Sequence, residues 1–154
     1  MPLIPSDHWR IRTGWEEFKD KNGLYWSSDI GYSDGEVARG WVSIAGTDIQ
    51  DLYQFERNGK DFSYSLPVLP GKYQVHLRFA ETFLKNVGER VFDVLINGKK
   101  VLVDFDILKE AGASNKALDK IFKDISPDTD GMIHLHFVAS VQNAKVCSIE
   151  ITRQ

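Results

Sequence analysis

Residues 52–106, LYQFERNGKDFSYSLPVLPGKYQVHLRFAETFLKNVGERVFDVLINGKKVLVDFD, decide the fold of this chain. Their clearest part is the stretch 73–79, YQVHLRF, in which apolar and polar residues alternate. Side chains alternate between the two faces of a strand, so the apolar positions are predicted to share one buried face. They are Tyr73, Val75, Leu77 and Phe79. The pattern predicts a half-buried antiparallel sheet, a scaffold that often carries function on its loops.

Further strand and turn signals surround this stretch. The pair Asn97-Gly98 separates the runs 90–96 and 100–105, and it is a strong hairpin signal because both residues tolerate positive φ. Residues 132–138 also alternate cleanly, and a last strand is predicted over residues 146–152. About seven to nine short strands with frequent turns predict an all-β fold, an antiparallel β-sandwich.

Three segments are less regular. Residues 14–50 are rich in Gly, Ser and Asp and predict a long, decorated loop region with short strands, of the kind that is usually functional. Residues 108–111 predict a helical turn that ends at Gly112. Residues 117–125 fit a helix, and a strand fits them nearly as well, so both interpretations remain open.

Length, composition and charge narrow the class of protein. The chain has 154 residues, of which 42% are hydrophobic and 27% charged. These values predict a single globular domain over residues 1–154 with its own core. A net charge of −3 without a basic stripe argues against a nucleic-acid partner. No apolar run approaches a membrane span, so no membrane partner is expected.

Catalytic and metal-binding patterns are weak. Cys147 is the one cysteine and is predicted to be a small buried hydrophobe, because no partner base is visible. His76, His134 and His136 lie on the polar faces of predicted strands and are interpreted as solvated or sheet-covered rather than metal-bound. A glycosidase needs two carboxylates at a set separation, and no pair stands out. The prediction is a non-enzymatic protein without metal or cofactor.

Sugar recognition needs particular side chains. A pyranose has an apolar C–H face and a rim of hydroxyl groups, so its site needs flat aromatic platforms with amides or carboxylates beside them. Trp41 and Tyr32 lie among glycines and serines, and an exposed platform or a core position remains open for both. Trp26 lies in an apolar run and is predicted to be core, while Trp9 and Trp15 are predicted to be core or lid.

Several motifs, in order along the chain, resemble the malectin domain, which is also classed as a family-57 carbohydrate-binding module. They are LYQ-x-ER at 52–57, PG-x-Y at 70–73, FAE at 79–81, FDV-x-ING at 92–98 and KVC-x-I at 145–149. The resemblance covers about residues 8–153. It implies a jelly-roll-like β-sandwich whose loops bind glucose-containing oligosaccharides.

The bacterial members of this family imply a setting for the chain. Such modules are appended to secreted glycoside hydrolases, so the resemblance implies a covalently linked catalytic domain as a partner. A secreted or periplasmic location is favoured on the same ground, although the first residues show no signal peptide.

The resemblance also implies which residues contact the sugar. The aromatic pair after Phe-Ala-Glu corresponds to Phe83 and Leu84, so one ring is kept. A family tyrosine and a family acidic residue correspond to Asn58 and Gln142, which offer amides instead. The early-loop tyrosine has no secure counterpart, and Trp41 or Tyr32 are candidates for its role. The predicted ligand-binding residues are therefore Phe83, Trp41, Tyr32, Asn58, Gln142 and Asn143.

Plainer interpretations of these residues remain open. Asn58 precedes a glycine and suits a simple turn, and Gln142 and Asn143 suit a plain loop. The sequence thus predicts a non-catalytic module that recognises gluco- or related oligo- or polysaccharides by stacking and hydrogen bonds. The alternative is a structural or interaction module of a larger glycoside hydrolase that binds no sugar itself. A small lyase or hydrolase is a third interpretation.

Overall fold

The computed structural model describes residues 2–154 and contains short strands connected by loops. These are β1 (His8–Arg12), β2 (Phe18–Lys19), β3 (Tyr25–Trp26), β4 (Tyr32–Ser33), β5 (Glu36–Arg39), β6 (Phe55–Gly59), β7 (Asp61–Pro67), β8 (Tyr73–Phe79), β9 (Val91–Ile96), β10 (Lys99–Phe105), β11 (Leu118–Ile125), β12 (Met132–Val141), β13 (Ala144–Val146) and β14 (Ser148–Arg153). A 3-10 helix spans Gln50–Leu52, and helix α1 spans Ile107–Ala111. No helix within residues 2–154 has the length and apolar character needed to cross a membrane.

The strands form two main antiparallel sheets that pack against each other. One has the order β1-β14-β8-β11 and the other β10-β9-β12-β7-β4. Apolar residues from both sheets form one buried cluster, in which Phe79 of β8 meets Phe92 of β9 with ring centroids 6.0 Å apart. The predicted all-β, jelly-roll-like β-sandwich is therefore confirmed.

The burial of residues along strand β8 follows the alternation seen in the sequence. Its four predicted core residues are fully buried, and the residues between them are partly exposed. The hairpin between β9 and β10 is also as predicted, because Asn97 and Gly98 have φ of 50° and 80°. Gly112 ends helix α1 in a left-handed conformation with φ of 82°, which confirms the predicted helical turn.

Pairing with a neighbouring strand decides between helix and strand for residues 117–125. Residues 118–125 form strand β11, which pairs with β8 and places Phe122 opposite Val75. Leu118 and Phe122 pack against the core, whereas Ile121 is exposed. The edge of β8 therefore selects the strand over the helix, because strand preference depends on the neighbours that are available.

Two strand boundaries differ from the prediction. The sequence pattern predicts a strand over residues 52–57, but residues 52–54 are not part of one: the 3-10 helix ends at Leu52 and β6 begins at Phe55. The predicted last strand is two strands, because the chain changes sheets at Cys147. Cys147 itself is 1% exposed, as predicted. The apolar pattern continues through the point where the chain passes from one sheet to the other, so the pattern alone does not reveal this change.

A third sheet has the order β13-β6-β5 and positions the candidate site. It is joined to both main sheets, because only Lys60 separates β6 from β7 and only Cys147 separates β13 from β14. Its register pairs Ala38 with Glu56 and Val37 with Arg57. Neighbouring residues on a strand point to opposite faces, so this sheet presents an Asn58 face and an Arg57 face.

Candidate functional site

A cavity of about 280 Å³ lies on the Asn58 face of the three-stranded sheet, and we call it the Phe83 cavity. Three parts of the chain form it: strands β5 and β6, the loop after β8, and the turn between β12 and β13. Its walls include Ala38, Asn58, Phe83, Leu84, Gln142 and Asn143. Four of the six predicted ligand-binding residues therefore meet in one place.

Two amides form the polar wall of the Phe83 cavity. Asn143 Nδ2 donates a hydrogen bond to Asn58 Oδ1 at 3.1 Å, and the Asn143 carbonyl accepts one from Arg90 Nη1 at 2.7 Å. Gln142 has φ of 59° and is exposed. The second amide hydrogen and the remaining lone pairs of these groups are available to sugar hydroxyls.

Phe83 forms the apolar wall, and a buried carboxylate fixes its loop. The ring is 48% exposed, which confirms the prediction that Phe83 is at the surface. Glu81 Oε2 accepts hydrogen bonds from the backbone amides of Phe83 and Leu84 at 3.3 and 3.2 Å. Lys145 Nζ lies 5.7 Å from the centre of the Phe83 ring. The platform is thus anchored before any ligand arrives.

Two buried ion pairs lie behind the cavity. Arg90 Nε donates to Glu81 Oε1 at 2.6 Å, and Lys145 Nζ lies 2.5 Å from Glu56 Oε1. Their side chains are all less than 10% exposed. Burial alone raises the pKa of Glu81, but the hydrogen bond from Arg90 and the charge of Lys145 outweigh it, so the pKa is lowered.

These ion pairs explain the motifs that carry the resemblance. Glu56 belongs to LYQ-x-ER, Glu81 to FAE, and Lys145 to KVC-x-I. The three motifs lie far apart in the sequence, yet they place their charged residues around one point. Sequence reasoning did not assign Arg90 to this cluster, because a single arginine in a loop gives no signal of its partner.

The other two predicted residues lie on the Arg57 face. Tyr32 is 48% exposed, and its ring lies over the guanidinium of Arg57 at 3.5 Å from the ring centre. Trp41 is 78% exposed and rests on Arg39 at 3.8 Å. Both are exposed aromatics, but neither lines the Phe83 cavity.

A second groove of about 470 Å³ lies on the Arg57 face, and we call it the Tyr32 groove. Trp15, Ser28, Asp29, Tyr32, Glu36 and Arg57 line it. Trp15 is 66% exposed, so a core position for it was wrong, whereas Trp26 is 1% exposed and is core as predicted. Trp15 instead stands on Phe55, with ring centroids 5.5 Å apart and planes at 84°.

A third groove, of about 360 Å³, lies on the outer face of the five-stranded sheet and contains two histidines. His134 Nε2 lies 2.6 Å from Asp130, and His136 Nε2 lies 2.6 Å from Asp61. Each ring therefore has its own carboxylate. Within residues 2–154 no three His, Cys, Asp or Glu side chains come together in a way that would hold a metal ion.

The fold and the Phe83 cavity together define a β-sandwich module with a cleft formed by loops. The sequence matches the malectin domain over residues 8–152. It is 30% identical to malectin of Homo sapiens and 31% identical to malectin of Mus musculus, in each case over 97% of this chain and 57% of the relative. The chain therefore belongs to the malectin family, and it spans less than two thirds of the length of these relatives.

Solved structures show the same fold at lower sequence identity. A β-glucuronidase of Bacteroides uniformis matches all of this chain with a TM-score of 0.83 and 23% identity, over 20% of the length of the enzyme. The extracellular domain of ANXUR1 from Arabidopsis thaliana matches 93% of this chain with a TM-score of 0.81 and 18% identity. In both, the shared fold is one part of a longer chain.

Proposed function

We propose that this chain is a non-catalytic carbohydrate-binding module that holds a gluco- or related saccharide in the Phe83 cavity. The observation that carries the proposal is that one exposed ring, Phe83, meets three amide side chains, one on strand β6 and two in the turn between β12 and β13. A flat ring matches the C–H face of a pyranose, and amides match its hydroxyl rim. The three amides are those of Asn58, Gln142 and Asn143.

The size of the cavity supports a short saccharide segment as its occupant. Small-molecule sites usually enclose roughly 300–1,000 Å³, and the Phe83 cavity, at about 280 Å³, is just below that range. One ring and a few hydrogen bonds leave only a modest net affinity once ordering costs are subtracted. We therefore propose weak, reversible binding of one or two sugar units.

The carboxylates around the cavity support binding rather than hydrolysis. Glycosidases need one carboxylic acid and one carboxylate on either side of the scissile bond. Glu56 is 3% exposed and paired with Lys145, and Glu81 is 1% exposed and paired with Arg90. Both acids are therefore committed to the scaffold.

Titration of the protein with glucose disaccharides of different linkage, followed by NMR, tests the proposal. We expect the side-chain amide signals of Asn58 and Asn143 to shift at millimolar sugar. Phe83→Ala should weaken binding by about tenfold or more, equivalent to roughly 1.4 kcal/mol. Val87→Ala is the matched control, because Val87 is exposed in the same loop but does not line the cavity.

The alternative function is a structural or interaction module within a larger glycoside hydrolase. The observation that favours it is the match to one fifth of a β-glucuronidase chain. A covalently linked catalytic domain and a secreted or periplasmic location would accompany either function. If no neutral glycan shifts any signal of the Phe83 cavity at millimolar concentration, the structural role replaces the binding role.

A further inference from the structure

We propose that the Tyr32 groove is a second saccharide site, which binds a neutral pyranose on the face of the three-stranded sheet opposite the Phe83 cavity. The two sites have no lining residue in common. The second site therefore stands on its own observations, and each can fail without the other.

Two exposed aromatic rings, those of Trp15 and Tyr32, line the Tyr32 groove. Trp15 stands on Phe55, and Tyr32 lies over Arg57. Phe55 and Arg57 are alternate residues on one face of β6, so the two supports are about 7 Å apart. One face of Tyr32 is covered by the guanidinium, which leaves its other face for a ligand. Two aromatic platforms on neighbouring supports suit one sugar ring or two consecutive ones.

Gly14 permits the approach of Trp15 to the sheet. Gly14 has φ of 124°, and a Cβ at this position would lie 2.8 Å from the Phe55 ring. Any side chain here would therefore push the loop away from β6. The position of Trp15 at the surface is thus a consequence of close backbone packing and does not reflect a loose loop.

The floor of the groove is rigid before a ligand binds. Arg57 Nε donates to Asp29 Oδ2 at 2.7 Å, and Arg57 Nη1 donates to the Asp34 carbonyl at 3.0 Å. Tyr64 donates its hydroxyl to the other oxygen of Asp29 at 2.6 Å. The side chains of Arg57 and Asp29 are only 5% and 3% exposed. A platform that is fixed in advance loses little entropy on binding.

An unpaired hydroxyl completes the site. In the described residues the Ser28 hydroxyl makes no side-chain hydrogen bond, and Ser28 lines the groove. A hydroxyl can both accept a hydrogen bond from a sugar hydroxyl and donate one to it. Ring platforms beside a free hydroxyl suit a pyranose, which has an apolar face and a polar rim.

The charge of the groove favours a neutral sugar over an acidic one. Arg57 is the cation that lines the groove, and it is already paired with Asp29. The carboxylate of a uronic acid would therefore lose hydration here without gaining an unpaired cation. A neutral sugar does not carry this cost.

The test is a titration of the full chain, followed by NMR, with maltotetraose, cellotetraose, laminaritetraose and nigerose. We expect at least one of them to shift the Trp15 indole signal and the Gly35 amide signal, in addition to any shift of the Asn58 and Asn143 side-chain amides. Gly35 reports on the groove because it lies in its lining. At saturation two saccharides should be bound per chain.

Matched variants separate the two sites. Tyr32→Ala and Trp15→Ala should each weaken binding at the Tyr32 groove by about tenfold and leave the Phe83 cavity unchanged. Tyr25→Ala is the control, because Tyr25 is 53% exposed, lies in a two-residue strand as Tyr32 does, and lines neither site. Thermal unfolding of each variant verifies that it is folded, and Tyr32→Leu serves if Tyr32→Ala is not.

The outcomes are distinct. Shifts confined to the Phe83 cavity with all four sugars overturn the second site and leave the proposed function intact. Shifts confined to the Tyr32 groove support the second site and overturn the Phe83 cavity. Binding of a glucuronate-containing disaccharide in preference to the neutral sugars overturns the assignment of a neutral ligand. Loss of Tyr32-groove shifts in Tyr25→Ala overturns the location of the site.

Discussion

Glu81→Gln should destabilise the protein strongly, although the two side chains have nearly the same shape. Glu81 Oε1 and Oε2 accept two hydrogen bonds from Arg90, at 2.6 and 3.3 Å, and Oε2 also accepts two backbone amides. A glutamine has one accepting oxygen and one donating nitrogen. In either orientation, its nitrogen would face another donor.

The magnitude follows from burial. Glu81 is 1% exposed and the Arg90 side chain 7% exposed, so the substitution leaves a buried cation without its carboxylate. Removing one partner of such a pair costs about 3–5 kcal/mol. For a chain of this size, that corresponds to a fall in Tm of about 6–20 °C. The protein should still be folded at room temperature if its free energy of unfolding lies in the usual range of about 5–15 kcal/mol.

Urea denaturation at neutral pH, followed by tryptophan fluorescence, to which the buried Trp26 contributes, measures this loss. Glu110→Gln is the matched control, because Glu110 pairs with Lys120 at the surface and exposed pairs contribute about 0–1 kcal/mol. If Glu81→Gln costs no more than Glu110→Gln, the cluster does not hold the Phe83 loop. Glu81→Gln should also weaken sugar binding, because the backbone amides of Phe83 and Leu84 lose their carboxylate acceptor.

The pH dependence provides a second check on the same residue. The pKa of Glu81 is lowered from 4.5, so its stabilising contribution is fully present above that value. It is lost as the pH falls through the lower pKa of the folded state. The difference in stability between the wild type and Glu81→Gln should therefore be constant near neutrality and shrink in acid. A difference that grows in acid would show that the pKa is raised.

Three further predictions concern the core, the thiol and the site. Phe79→Ala should cost about 3–5 kcal/mol in urea denaturation, because Phe79 is fully buried between the sheets and its removal leaves a cavity; a loss below about 1 kcal/mol would contradict this packing. Cys147 should resist thiol reagents until urea unfolds the chain, because burial raises its pKa to about 12; rapid labelling of the folded protein would refute it. Asn58→Tyr should change stability by less than about 0.5 kcal/mol, because Asn58 is half-buried at the cavity wall, while the added ring increases affinity for glucose disaccharides in the same NMR titration; unchanged affinity would show that Asn58 does not face the ligand.

Local sequence patterns predicted those parts of the fold that local physics determines. Strand β8 has a strict period of two, and Asn97-Gly98 suits the positive φ values of a tight hairpin. Residues 117–125 remained open because their apolar spacing fits a helix that buries Ile121 and also a strand that exposes it, and pairing with β8 decides between them. The crossing at Cys147 was missed because an apolar run is equally suited to either sheet.

The sequence predicted only part of the candidate site, because strand β5 was not recognised in it. Residues 14–50 read as a loop, so the alternation within Glu36–Arg39 was not used. With β5 recognised as a strand, Val37 and Ala38 point to opposite faces, and the residues around them divide between two grooves. Tyr32 therefore lies apart from Phe83, although both are exposed aromatics.

The buried charged residues and the exposed residues of the Phe83 cavity differ in how much they contribute to stability. The motif residues Glu56, Glu81 and Lys145 are buried and paired. A substitution of one of them would leave a buried charge without a partner and would lower the free energy of unfolding. Asn58, Gln142 and Phe83 are partly or largely exposed, so changing them costs little stability. A resemblance carried by the first group therefore identifies the scaffold, whereas under the proposed function the ligand preference would depend on the second group. Because the second group lies nearer the surface than the buried ion pairs, the proposed sugar contacts can change without repacking the scaffold.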